Sequence, residues 1–96
     1  MFVHLVLFEI RSSQVTAYRK DCRMWARYAK KANGFISCLT FKRHGYNNQY
    51  ASVYVWNNKR CHDLFMGRLH DWLVGKSKAK VKVLGYFNLG SLYILK

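Results

Sequence analysis

Residues 35–56 read FISCLTFKRHGYNNQYASVYVW. Phe35 to Arg43 and Tyr50 to Trp56 are rich in aromatic and β-branched residues, the types that fit a pleated surface. Between them His44-Gly45-Tyr46-Asn47-Asn48 is turn chemistry. Two strands joined by a loop of about five residues form an antiparallel hairpin. Its second strand carries Ala51, Val53 and Val55 on one side and Tyr50, Ser52, Tyr54 and Trp56 on the other.

Outward from this hairpin each flank reads as a helix. Upstream, Val15, Tyr18, Cys22, Trp25, Ala26 and Ala29 recur at steps of three and four, the spacing of one helical face. Ser12 and Ser13 offer oxygens to its N-terminus, and Asn33-Gly34 supplies the stop. Downstream, Asn57 or Asn58 caps a second helix with the stripe Cys61, Leu64, Phe65, Leu69, Trp72 and Leu73. Beyond the helices lie two more strands. Phe2 to Ile10 is apolar at odd and even positions alike, which is the pattern of a strand covered on both sides. Val81 to Leu95 is broken by Gly85 and Gly90, where a bulge or bend is expected. The order βαββαβ over residues 1–96 predicts a single α+β domain, ferredoxin-like, with both helices on one face of a four-stranded antiparallel sheet. The first and last strands present apolar groups to the second face as well. A second copy of the chain would cover it, so a homodimer is expected.

Composition narrows the function classes. With 51% apolar and 17% aromatic residues, the chain has ample material for a core, and disorder is excluded. No apolar run approaches the roughly 18–20 residues of a bilayer span, so no membrane partner is expected. The strand-like start gives no sign of a secretory leader, and Cys22, Cys38 and Cys61 form no CxxC pair. Reduced thiols in a cytoplasmic protein are the expectation. No HxxxH occurs either. His62 and His70 stand eight residues apart, about 12 Å along a helix, too far to share one ion, and no metal is expected. Seventeen Lys and Arg against four acids give a formal charge of +13, a field that draws anions. The exposed sets Arg19, Lys20, Arg23, Arg27, Lys30, Lys31 and Lys76, Lys78, Lys80, Lys82 keep a basic nucleic-acid-binding module open as the alternative function.

Gly34-Phe35 opening one strand, Trp56 ending the next, and Phe65-Met66-x-x-x-His70-Asp71 on the second helix resemble the antibiotic biosynthesis monooxygenase superfamily. Trp25 extends the likeness toward a small bacterial branch of it. The resemblance implies a dimeric α+β barrel with a pocket between sheet and helices. A small-molecule ligand, aromatic or anionic, is the expectation for that pocket, with cofactor-independent oxidation of the monooxygenase kind or a related proton transfer as the candidate chemistry. Haem-degrading relatives place an Asn on the first strand and a Trp on the second helix; His4 and Phe65 stand near those places here, so no cofactor is expected.

Within that frame His70 and His4 are the candidate catalytic residues, because an imidazole exchanges a proton near neutral pH. His4 alternates with Phe2, Val6 and Phe8, which sets it on a buried sheet face where it would look toward His70. Trp25, Tyr54, Trp56, Phe65, Met66 and Asp71 are the candidate ligand-binding residues. The flat faces and edge donors of the aromatic members suit an aromatic guest.

Overall fold

The computed structural model describes residues 1–93. Strand β1 spans Phe2–Glu9, helix α1 Val15–Ala29, β2 Phe35–Lys42, β3 Gln49–Trp56, α2 Lys59–Lys76 and β4 Lys82–Gly90. The strands form one antiparallel sheet in the order β2-β3-β1-β4, the ferredoxin-like βαββαβ arrangement expected from the sequence. The hairpin turns through Gly45 and Asn48, both at positive φ (81° and 64°), a region that Gly and Asn enter at least cost.

The register fixes two chemically different faces. On the helix side, cross-strand rows read Phe35, Trp56, Phe2, then Cys38, Tyr54, His4, Asn88, then Thr40, Ser52, Val6, Tyr86. On the opposite side, one row runs Leu39, Val53, Leu5, Phe87 across all four strands. Leu39, Phe41, Phe87 and Leu89 on that side are between 44% and 53% exposed in the single chain. The sheet is therefore apolar on both faces, as the β1 pattern predicts.

Where β1 meets β4, the pairing steps from Leu7 with Gly85 to Phe8 with Val83, leaving Leu84 as the extra residue of a bulge. The bulge falls beside Gly85, as anticipated, while Gly90 simply ends the strand. β4 is nine residues long. Of the longer segment expected there, Ile94 and Leu95 lie outside the described residues.

The helix boundaries depart from expectation in one respect. Ser12 and Ser13 do not cap α1: they belong to a short turn of 3-10 helix, Ser12–Gln14, and neither end is closed by a side-chain bond. At α2 the Asn58 side chain accepts from the Cys61 N–H at 2.9 Å, so the cap is Asn58. The inward stripe of α2 is also rotated from the expected one. His62, Phe65 and Leu73 are buried, whereas Leu64 and Trp72 are 55% and 45% exposed. Trp72 instead lies edge-on to Tyr28 on the outside of α1. Gly34, at φ 79°, is where α2 begins to press on the chain: a Cβ there would collide with the Cys61 side chain.

Packing is concentrated at one end of the layers. Phe2, Ala29, Trp56, Phe65 and Leu73 form the closed core, with Trp25, Tyr28, Phe35 and Met66 against it. Beside this core a gap remains between the sheet and the two helices.

Candidate functional site

The space left between the layers is a cavity of about 400 Å³. β1 contributes His4, Val6 and Phe8 to its floor, and β3 contributes Ser52, Tyr54 and Trp56. Each of these alternates toward the helices because a strand turns successive side chains to opposite faces. α1 adds Tyr18, Asp21 and Trp25; α2 adds His62, Phe65, Met66 and His70. A volume in the range of about 300–1,000 Å³ with mostly aromatic walls suits a small organic molecule.

Seven of the eight residues singled out from the sequence line this one space: His4, Trp25, Tyr54, Trp56, Phe65, Met66 and His70. Asp71 does not. Its side chain is fully exposed, one step around α2 from His70, and reaches back only to accept from His70 Nδ1 at 3.0 Å. Asp71 is thus a partner of His70 and not part of the lining.

His4 is buried in the middle of the floor. Asn88 stands directly opposite it on β4, and His4 Nδ1 donates to Asn88 Oδ1 at 2.6 Å. Burial lowers the His4 pKa. The Asn88 bond works against that lowering, and the charges that His62 and His70 would carry add to it. The imidazole that faces His4 is not His70 but His62, ring centroids 4.6 Å apart. His70 sits nearer the rim, its side chain 40% exposed and its ring edge-on to Trp25 at 5.9 Å.

The aromatic walls are held by hydrogen bonds at their polar ends. Trp25 Nε1 donates to Ser77 Oγ at 3.0 Å, and Ser77 Oγ donates in turn to the Leu73 carbonyl at 2.8 Å, which ties α1 to the end of α2. Tyr18 and Ser52 share a hydroxyl–hydroxyl bond of 2.5 Å. Burial pushes the Tyr54 and Tyr18 hydroxyls far above the ordinary tyrosine range, so both are neutral phenols in the site.

Three residues of the site went unrecognised in the sequence. His62 is 8% exposed and central. Its signal was its place three residues before Phe65, on the same face of α2. Asp21 is buried on α1, and its two carboxylate oxygens accept the backbone N–H groups of Lys78 and Ala79 at 2.8–3.1 Å. That contact pins the loop between α2 and β4, which forms one wall. Asn88 carried no signal short of the strand register. Among the described residues no group of three His, Cys, Asp or Glu side chains converges on a point that could hold a metal ion. None of the helices among the described residues is long and apolar enough to cross a membrane.

No family model matches the sequence, and no match to a curated protein was found. Solved structures do match the fold. MupZ from Pseudomonas fluorescens superposes with a TM-score of 0.76 at 11% identity, over 91% of this chain and 69% of its own. SnoaB, a cofactor-independent oxygenase from Streptomyces nogalater, gives a TM-score of 0.76 at 10% identity, over 98% of this chain and 95% of its own. An antibiotic biosynthesis monooxygenase gives 0.70 at 9% identity, over 97% of this chain and 100% of its own. The chain therefore has the fold of the antibiotic biosynthesis monooxygenase-like proteins over nearly its whole length.

Proposed function

We propose that the chain pairs through the bare face of its sheet into a dimeric α+β barrel, and that its cavity binds a small aromatic or anionic molecule. On that molecule it carries out an oxidation of the cofactor-independent monooxygenase type, with dioxygen as the oxidant. The observation that carries this reading is the cavity itself: one aromatic-walled space, open at the rim near His70, that gathers His4, His70, Trp25, Tyr54, Trp56, Phe65 and Met66. The likeness in fold to SnoaB, a cofactor-independent oxygenase, supports the class of chemistry. In this reading the rings of Trp25, Tyr54, Trp56 and Phe65 sandwich the guest, and His4, kept neutral by burial, is available to exchange a proton with it. The net charge of +13 raises the local concentration of an anionic guest.

Calorimetric titration with naphthoate and with naphthalene tests the binding step. Saturable binding of one molecule per chain is expected, with a negative heat-capacity change as apolar surface is buried. Val6→Trp, which fills the floor of the cavity, should abolish it. An absence of saturable heat, or binding that survives Val6→Trp, would overturn the site. Dioxygen uptake when a bound hydroxyaromatic is supplied without flavin or metal tests the oxidation.

A further inference from the structure

A second space, a groove of about 420 Å³, runs between α1 and the edge strand β2. α1 lends it Arg19, Cys22 and Arg23; β2 lends Thr40 and Lys42, and β3 lends Tyr50. Thr40 and Lys42 stand in register with Ser52 and Tyr50, on the helix side of the sheet. A dimer that pairs through the other side therefore leaves this groove open to solvent.

Three cations line the groove and none of the four acids of the chain does. Asp63 and Asp71 lie on α2, bonded to Lys59 and His70. Asp21 is buried, with both oxygens taken by the N–H groups of Lys78 and Ala79. Glu9 stands opposite Gln49, one step along the strands from Phe8 and Tyr50, so its side chain turns to the other face of the sheet. Among the described residues no ion pair includes Arg19, Arg23 or Lys42. Arg19 and Arg23 are, moreover, one turn apart on α1, a spacing at which like charges repel. An anion seated between them removes that repulsion.

The donor set selects the kind of anion. Each guanidinium offers a planar fork suited to two oxygens of one group, and the Lys42 ammonium adds a point charge. The Thr40 and Tyr50 hydroxyls add further donors. A monocarboxylate brings one charge and two oxygens, enough for one arginine. A phosphate group brings nearly two charges and three free oxygens, which matches several cations at once. A space of this volume takes a small molecule.

We propose that the groove between α1 and β2 is a binding site for the phosphate or pyrophosphate group of a small molecule, held by Arg19, Arg23 and Lys42. The site is separate from the central cavity in its ligand, although Tyr18 and Cys22 line both spaces and form a shared wall. It stands or falls independently of the oxidation proposed there.

Inorganic pyrophosphate, titrated into the full chain at about 0.15 M salt to screen the general field, tests the site. Saturable binding of one pyrophosphate per chain is expected, with amide shifts in the NMR spectrum concentrated at Arg19 to Arg23 and Thr40 to Lys42. Arg19→Gln with Arg23→Gln should weaken binding about tenfold or more, the scale of losing charge-assisted hydrogen bonds. Arg60→Gln with Arg68→Gln, exposed on α2 and outside both spaces, removes the same charge and should change affinity by no more than about twofold under that screening. Equal weakening by the two pairs, or amide shifts spread over the whole basic surface, would reduce the effect to net charge and overturn the site. No saturable binding would overturn it as well, and so would displacement of pyrophosphate by equimolar acetate. A single-stranded oligonucleotide that binds through Arg19 and Arg23 and resists displacement by pyrophosphate would make the groove a nucleic-acid track and overturn the small-molecule assignment.

Discussion

His4 is a residue whose burial makes a measurable claim. Its pKa in the folded chain lies below the ordinary 6.5, chiefly through burial, so the native state prefers the neutral ring and the unfolded chain takes up the proton first. Stability from this residue is complete above about pH 6.5 and declines as the pH falls toward the lowered native value. Urea midpoints measured across that window should fall with acidification, and His4→Gln should flatten the slope. A midpoint that rises on acidification in the wild type would contradict the assignment. The sequence placed His4 on a buried face by strand alternation alone. That its neighbour would be His62, and its bond partner Asn88, needed the register of β4 and the rotation of α2, which depend on residues far away in the chain.

At the scale of elements, the loop between α2 and β4 is kept in place by one side chain of α1. Asp21 accepts from the N–H groups of Lys78 and Ala79, 57 and 58 residues further along the chain. Its removal leaves those donors without a partner in a partly buried setting. Asp21→Ala should cost about 2–3 kcal/mol of stability, the scale of bonds to a charged group. Amide hydrogen exchange should accelerate selectively at Lys78 and Ala79; unchanged protection there would show that the loop is held by packing alone. The α1 stripe was legible because its apolar residues repeat cleanly. Asp21 was hidden because a lone acid beside that stripe reads as solvated until a loop is seen to cross it. For α2 the stripe read from Cys61, Leu64 and Trp72 was off by part of a turn, since apolar residues lie on more than one side of this helix and only the sheet decides which side turns inward.

For the molecule as a whole, the far side of the sheet carries the decisive prediction. Leu39, Val53, Leu5 and Phe87 form a continuous apolar row with ends open to solvent in a single chain. An apolar face of this kind marks an association surface. Sedimentation should show a dimer, and Leu39→Lys with Phe87→Lys should give a folded monomer. Two copies of a chain at +13 also repel each other, and salt screens that repulsion. The dimer should therefore tighten as salt is added, whereas a nucleic-acid complex would weaken steeply over the same range. A monomer at every salt concentration would remove the barrel from the proposed function and return attention to the cationic exterior.

Local chemistry determined the element order, the hairpin, a break in β4 at its glycines, an Asn cap on α2 at position 57 or 58, and the double-sided greasiness of β1. These depend on alternation, turn residues and capping oxygens within a few positions of each other, which is information a sequence carries directly. Tertiary structure alone decided which polar groups meet: His62 with His4 and Trp56, His4 with Asn88, Asp21 with the loop at Lys78. Such pairs are separated by tens of residues and are brought together by register and helix rotation, which the burial of the whole core sets at once.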